Sequence, residues 1–236
     1  MDGCRDLAGT KRRILADHLL FRELSPTERD ALLAYARVEH YAAGRTIFHK
    51  GSPGRGMMAV LAGRVRISAS GADGREIVLN IIEEGEVFGE IALLDGKERS
   101  ADAIAATNCD LLVIDRRDFI PFLDNHPGLA VRLMAVLCER LRRTTQQVED
   151  VLFLDLPSRL AKKLLDLAER RAERTPAGLR FDSRLSQREI GTMIGLSRES
   201  VNKQLGQWQE EGLIAVEKGV ITLLNVGELR NLIPAG

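Results

Sequence analysis

Three hydrophobic patterns follow one another along the chain, and each predicts a different type of element. Before Ala36 the pattern is helical, with Ile14, Leu15 and Leu19 at helical spacing. Ser25 followed by Pro26 is typical of a helix N-terminus, because the hydroxyl can cap the first turn and proline fits its first position. This helix is expected to direct three of its residues towards a core: Leu32, Leu33 and Tyr35.

The second pattern, from Val38 to Leu112, consists of short runs rich in β-forming residues, separated by glycine-containing turns. The predicted strands are 46–48, 58–61, 65–68, 76–82 and 110–114. Many short strands at this spacing predict an antiparallel barrel or jelly roll.

The third pattern is helical again and longer. Asp115 is a candidate N-cap for a short helix, and His126-Pro127-Gly128 opens a long one, whose regularly spaced residues are Met134, Leu137, Leu141, Thr144, Val148 and Val151. Spacings that alternate between three and four predict the seam of a two-helix coiled coil; a long helix packed on its own domain is the alternative. The hydroxyl groups of Thr144 and Thr145 would weaken such a seam. Their presence there would be explained by a polar ligand beside the seam, or by a role in fixing the register of the two helices.

Residues 154–158 interrupt this pattern, and we predict a hinge between domains here. Asp155 is a candidate N-cap, and Pro157 suits the first turn of the next helix, 159–171. A short strand at 179–181 follows.

A helix-turn-helix is predicted beyond the hinge. Ser186 and Glu189 form a capping box for one helix, Gly195 supplies a tight turn, and Ser197 caps a second helix. Val201, Leu205 and Trp208 would face inwards, which leaves four residues outward on the first turns of the second helix: Arg198, Glu199, Asn202 and Lys203. Arg, Glu and Lys side chains can read base edges in a major groove, although a solvated helix face is the alternative for any one of them. Two strands at 213–216 and 220–223 predict a winged variant.

Residues 87–101 predict an anion-binding segment between two strands. Gly89 permits close backbone approach, the apolar run 91–94 can anchor a turn of helix in the core, and Arg99 with Ser100 can meet a phosphate. An ordinary turn is the alternative for this segment taken alone.

Length and charge add little to this picture. The 236 residues suit two domains, and 34 basic residues balance 34 acidic ones, with a surplus of three positive charges after Leu156. No apolar run approaches the ~18 residues of a membrane span, and the start does not resemble a secretory signal, so we expect a cytoplasmic protein. The three cysteines and four histidines are scattered, so no metal site is expected, and no catalytic constellation is found.

From Leu24 to Leu224 the chain resembles the cyclic-AMP receptor branch of the Crp/Fnr family of bacterial transcription regulators. The most specific matches are Gly89-Glu90 with Arg99-Ser100-Ala101, the Thr144-Thr145 pair, Phe153-Leu154-Asp155, and Glu189-Ile190-Gly191 leading to Ser197-Arg198-Glu199. The resemblance implies an α+β fold: a cyclic-nucleotide-binding β jelly roll (1–126), a long dimerisation helix (127–154) and a winged helix-turn-helix DNA-binding domain (155–236).

The resemblance also implies roles for single residues. Arg99 and Ser100 would hold the cyclic phosphate, Glu90 would accept from the ribose 2′-OH, and Gly89 would approach the sugar, with Ile91 and Ala101 in the same segment. Arg140 would lie near the phosphate and Glu90. The base would be walled by Ile67, Leu79, Asn80 and Ile82, and its edge would meet Thr144 of one subunit and Thr145 of the other. On DNA, Arg198, Glu199 and Lys203 would read bases in a TGTGA-related half-site, and Ser186, Gln187 and Ser197 would touch phosphates. Asn202 is a further candidate DNA contact.

Cyclic AMP is the expected effector and cyclic GMP a second candidate, because threonine hydroxyls and the Asn80 amide are both donors and acceptors. The expected partners are a palindromic DNA operator, a second copy of the chain and RNA polymerase. Two alternatives stay open. One is a family member that works without a cyclic nucleotide or with another small effector, and the other is an enzyme controlled by a nucleotide-binding domain.

Overall fold

In a computed structural model the described residues are Phe21, 24–71, 76–182, 186–217 and 219–234, with Arg171 described by its backbone alone. Contacts divide the chain into two compact units, Met1–Leu141 and Arg142–Gly236. The helical residues predicted around Ile14 to Leu19 lie outside the described residues.

The elements of the first unit are, in chain order, α1 (Pro26–Ala34), β1 (Ala36–Tyr41), β2 (Thr46–Phe48), β3 (Gly56–Ala62), β4 (Val65–Ser70), β5 (Glu76–Ile82), β6 (Val87–Phe88), α2 (Glu90–Asp95), β7 (Asp102–Ala105), β8 (Cys109–Asp115), α3 (Arg116–Asp124) and the start of α4 (Pro127–Phe153). The strands form two antiparallel sheets, ordered β1-β8-β3-β6 and β2-β7-β4-β5. The predicted jelly roll is confirmed.

β3 shows why this unit has two cores. Successive side chains of a strand point to opposite faces of its sheet. Met57, Ala59 and Leu61 accordingly pack with helix residues such as Leu32, Phe119 and Leu133, whereas Met58 and Val60 pack with residues of the second sheet. The first sheet is therefore covered on both faces, which explains the uninterrupted apolar run of β3.

Most of the sequence-based predictions for this unit are confirmed. Ser25 caps the start of α1 as predicted, in a capping box with Glu28, and all five predicted strands occur. Three strands of this unit were not among those predicted: β1, β6 and β7. The prediction for Tyr35 is wrong, since it follows the last turn of α1 and is 55% exposed. Asp115 stands at the N-cap of α3, but its carboxylate accepts a hydrogen bond from Arg37 at 2.8 Å instead of capping the helix.

Helix α4 begins in the first unit and ends in the second. Leu129 and Leu133, near its start, are fully buried in the first unit's core. Most of the apolar residues of the predicted seam are instead exposed on the single chain: Met134, Leu141, Val148 and Val151. Packing of α4 on the core of the first unit therefore explains the burial of its first turns. It does not explain the exposed apolar stripe farther along the helix.

The second unit continues with α5 (Leu156–Arg171), β9 (Glu173–Thr175), β10 (Gly178–Asp182), α6 (Gln187–Met193), α7 (Arg198–Glu210), β11 (Ile214–Glu217), β12 (Val220–Leu223) and α8 (Val226–Asn231). Its strands form one antiparallel sheet, ordered β11-β12-β10-β9. Asp155, Ser186 and Ser197 each cap a helix, as predicted. The predicted winged helix-turn-helix is confirmed. Across the described parts of the chain, we find no helix both long and apolar enough for a bilayer span.

Candidate functional site

A cleft in the first unit collects most of the predicted anion-binding residues. It encloses about 380 Å³, counting the part open to solvent, and is lined by Phe48, Ile67, Phe88, Gly89, Glu90, Ile91, Ala92, Arg99, Ser100, Ala101 and Arg140. The segment 87–101 supplies most of this lining, because β6 enters the cleft wall and α2 turns back directly after it.

Gly89 brings backbone and guanidinium together at the turn between β6 and α2. Its φ of 79° lies in the left-handed region that favours glycine. A Cβ at this position would lie 2.6 Å from Nη1 of Arg99. That Nη1 donates a hydrogen bond to the Gly89 carbonyl oxygen at 2.8 Å. Only a residue without a side chain leaves Arg99 this position.

Arg99 is a buried cation that keeps an unused donor. The residue is 6% exposed, and its Cζ lies 4.2 Å from the centroid of the Phe48 ring. Burial lowers the pKa of Arg99 from its ordinary value, and the charge of Glu90 opposes this shift. Its Nε is buried and makes no hydrogen bond within the described residues. An anion entering the cleft could accept from it.

Glu90 is a fully buried carboxylate held by the long helix. Its Oε1 accepts a hydrogen bond from Nη1 of Arg140, whose Nη2 donates to the carbonyl oxygen of Val87. Its Oε2 is buried and, among the described atoms, has no hydrogen-bond partner. A buried carboxylate oxygen without a donor is costly, so a ligand hydroxyl that donated to it would be favoured.

These features together describe the ligand that the cleft suits. Arg99 offers a charged donor to an anion, Glu90 offers an acceptor to a hydroxyl, and Ile67, Phe88 and Ala92 supply apolar wall. A phosphorylated sugar with an attached ring presents this combination of groups. We find no cluster of three metal-ligating side chains among the residues that the structure describes.

The structure brings eight of the predicted ligand residues to this cleft: Ile67, Gly89, Glu90, Ile91, Arg99, Ser100, Ala101 and Arg140. Leu79, Asn80 and Ile82 do not line it. Ile82 is fully buried in the core between the sheets. Asn80 lies on β5, the edge strand, where it pairs with Ile67 of β4. Thr144 and Thr145 belong to the second unit and are exposed.

Sequence reasoning missed three lining residues: Phe48, Phe88 and Ala92. Phe88 and Ala92 lie inside the predicted segment and could have been included. Phe48 ends β2, about fifty residues earlier, and no local pattern connects it with Arg99.

The helix-turn-helix of the second unit presents its polar residues as predicted. Arg198, Glu199, Asn202 and Lys203 are exposed on α7, while Val201, Leu205 and Trp208 are buried. The remaining predicted DNA contacts lie at the helix starts: Ser186, Gln187 and Ser197. The Ser186 hydroxyl accepts from the Glu189 amide at 3.1 Å, and the Ser197 hydroxyl accepts from the Ser200 amide at 3.1 Å.

A jelly roll with an anion-binding cleft and a winged helix-turn-helix in one chain define the class of ligand-responsive DNA-binding regulators. Residues 38–126 match the cyclic nucleotide-binding domain, and residues 158–232 match the Crp-like helix-turn-helix domain. The chain belongs to the Crp/Fnr family of transcription regulators, with a cyclic nucleotide-binding domain and a DNA-binding domain.

Three relatives show the extent of the similarity. The CRP-like cAMP-activated global transcriptional regulator of Mycobacterium tuberculosis is 34% identical over 204 residues, which cover 86% of this chain and 91% of that protein. The cyclic AMP receptor protein of Thermus thermophilus is 32% identical over 213 residues, 90% and 95% of the two chains. The solved structure of the c-di-GMP responsive global regulator CLP from Xanthomonas campestris is 25% identical, covers 84% of this chain and 99% of that chain, and has a TM-score of 0.74.

Proposed function

We propose that the protein is a transcription regulator that binds a palindromic operator as a homodimer when a cyclic nucleotide, chiefly cyclic AMP, occupies its cleft. The observation that carries this proposal is the pairing of Arg99 and Glu90 in one cleft, each with a buried polar atom free of hydrogen bonds among the described residues. A 3′,5′-cyclic nucleotide has a phosphate for the first and a ribose 2′-OH for the second.

Arg99 and Ser100 would hold the phosphate in this proposal, and Oε2 of Glu90 would accept from the 2′-OH. Ser100 is exposed beside Arg99, which suits a contact with an entering ligand. Ile67 lines the cleft and would contact the base. Thr144 of one subunit and Thr145 of the other would meet the base edge, with Leu79, Asn80 and Ile82 as more distant candidates.

Cyclic AMP is the preferred effector because the two curated relatives above are both named for it. Cyclic GMP is the second candidate, since the hydroxyls of Thr144 and Thr145 can either donate to a guanine carbonyl or accept from an adenine amino group. Isothermal titration calorimetry with both nucleotides distinguishes the two.

The homodimer is supported by the exposed apolar stripe of α4. Met134, Leu141, Val148 and Val151 recur at coiled-coil spacing, and a second copy would cover them. The nucleotide would favour one arrangement of the paired helices in proportion to its differential affinity, and so bias the two DNA-binding units.

Two copies of α7 would then enter successive major grooves about 34 Å apart, which requires a palindromic operator. Arg198, Glu199 and Lys203 would read bases, and Ser186, Gln187 and Ser197 would touch phosphates. Asn202, exposed on the same helix, is a further candidate DNA contact. A regulator of this kind would act in the cytoplasm and would contact RNA polymerase at its promoters.

The alternative is a family member that works without a cyclic nucleotide or with another small effector. One observation favours it: the structurally similar CLP is described as responsive to c-di-GMP. Calorimetry that detected neither cyclic AMP nor cyclic GMP at high micromolar concentration would favour this alternative.

The proposal is tested with Arg99→Ala. We expect nucleotide affinity to fall by about 10- to 150-fold, because a charged hydrogen bond to the ligand is lost, while the ligand-free protein stays folded. Calorimetry gives the affinity, and a gel shift on an operator gives the nucleotide dependence of DNA binding. Arg45→Ala, an exposed arginine of the same unit, is the control and should bind nucleotide normally. Unchanged titration of the Arg99 variant would contradict the assignment of the cleft.

A further inference from the structure

Phe48 lies against the guanidinium group of Arg99, although the two residues are far apart in the sequence. The Arg99 Cζ is 4.2 Å from the centroid of the ring. An aromatic face carries the negative part of a quadrupole and attracts a cation above it, most strongly where water is excluded. Arg99 is 6% exposed, so this contact is largely desolvated.

The segment that follows Phe48 also holds the backbone of Arg99. The Gly51 amide donates to the Arg99 carbonyl oxygen at 2.8 Å, and the Arg99 amide donates to the Ser52 carbonyl oxygen at 2.8 Å. Asp102, three residues beyond Arg99, accepts from the Lys50 amide at 2.9 Å. The end of β2 and its turn therefore fix both the main chain and the side chain of Arg99.

The ring contacts the guanidinium group without using its N–H groups. Nη1 donates to the Gly89 carbonyl oxygen, while Nε is buried and makes no hydrogen bond within the described residues. Phe48 is itself held by the Phe88 ring, whose centroid is 5.9 Å away, and by backbone pairing with Ala103 of β7. The cation is thus held in place with donors left for an incoming anion.

We propose that Phe48 is a positioning residue, which pre-organises Arg99 for the cyclic phosphate in the ligand-free protein. The inference rests on the proposed function of the cleft. A group that is already ordered loses less entropy when the ligand binds, so affinity rises without a new ligand contact. The ring acts on the arginine that contacts the phosphate and not on the base. Its removal should therefore weaken the binding of cyclic AMP and of cyclic GMP by the same factor.

The experiment compares four variants of the full chain by calorimetry with each nucleotide. Phe48→Leu keeps an apolar side chain and loses the ring, and we expect its Kd to rise about 3- to 30-fold for both nucleotides. Phe48→Met is made alongside it, in case leucine packs poorly. Phe48→Tyr keeps the ring and should retain affinity. Tyr41→Leu removes a half-buried ring packed on the same core cluster outside the cleft, and should leave the Kd unchanged.

A double-mutant cycle separates positioning from direct contact with the ligand. In an Arg99→Gln background, Phe48→Leu should have no further effect on Kd, because the cation on which the ring acts is gone. An equal loss in both backgrounds, or a loss confined to one nucleotide, would overturn the positioning role and make Phe48 a base contact. Normal affinity of both Phe48→Leu and Phe48→Met would overturn it as well. Absence of binding by the unchanged protein would instead overturn the proposed function.

Discussion

At the scale of single residues, the cleft depends on a glycine whose missing side chain leaves space for an arginine. Gly89 combines a left-handed backbone with a position in which a Cβ would lie 2.6 Å from Arg99 Nη1. Gly44 also has a left-handed backbone, but a Cβ there would meet nothing within 4 Å. An alanine at Gly44 would therefore strain the backbone alone, whereas an alanine at Gly89 would strain the backbone and also displace Arg99.

Gly89→Ala should weaken cyclic-nucleotide binding on the order of tenfold or more, because the guanidinium must leave its position, and should also cost about 1–2 kcal/mol of stability. Gly44→Ala should lose a similar amount of stability and bind normally. Calorimetric melting and nucleotide titration measure the two effects. Equal binding by both alanine variants would contradict the role given to Gly89.

A substitution of Arg198 tests whether a single residue of α7 reads a base. Arg198→Ala should cost about 1–3 kcal/mol of operator affinity and relax the preference at one base pair, because an arginine can take guanine O6 and N7 together. Fluorescence anisotropy on an operator and its single-pair variants measures this loss. Arg230→Ala removes the same charge from an exposed position on α8 and should leave the preference intact. An equal loss on every sequence would make Arg198 a phosphate contact.

At the scale of elements, helix caps define where the second unit's helices begin. Asp155 Oδ1 accepts from the Ser158 amide at 2.9 Å at the start of α5, directly after α4 ends. Hydrogen bonding from Ser158 holds the pKa of Asp155 below its ordinary value. A carboxyl whose pKa is lowered on folding adds stability that is complete above its unfolded pKa and is lost as the pH falls through the folded pKa.

Asp155→Ala should therefore destabilise the second unit by about 0.5–2 kcal/mol at pH 7, and this difference should shrink below the ordinary aspartate pKa of about 3.9. Asp155→Asn, a cap that cannot ionise, should keep most of the stability at pH 7 and lose the acid dependence. Urea unfolding followed by the fluorescence of Trp208, the single tryptophan, measures both variants. The same acid dependence in the Asp and Asn forms would refute this account.

At the scale of the whole molecule, the proposed dimer should depend on the stripe of α4. Leu141→Asp would bury an unpaired carboxylate between two copies of the helix, which is strongly unfavourable, so sedimentation should give the mass of one chain and operator binding should be lost. Ala135→Asp adds the same charge off the stripe of the same helix and should stay dimeric. A monomeric unchanged protein would contradict the proposed homodimer itself.

The features that the sequence predicted are those encoded by neighbouring residues. The capping box of Ser186 and Glu189, the apolar run of β3 and the glycine turn between α6 and α7 each depend on side chains a few positions apart. Their physical basis is the period of the element itself, so the jelly roll, the long helix and the winged helix-turn-helix follow from local patterns. The family resemblance added a prediction that local patterns could not make, namely that Arg99, Glu90 and Arg140 belong to one site.

Only the tertiary structure decided which distant residues meet. The ring of Phe48 comes to Arg99 because β2 pairs with β7, and Ile82 belongs to the core because the alternation of β5 directs it inwards. Strand pairing and side-chain burial join residues whose separation along the chain leaves no repeating pattern. The sequence by itself determined most of the elements, and it indicated the anion-binding chemistry of segment 87–101. The packing of two sheets determined which side chains hold the arginine of that segment in place.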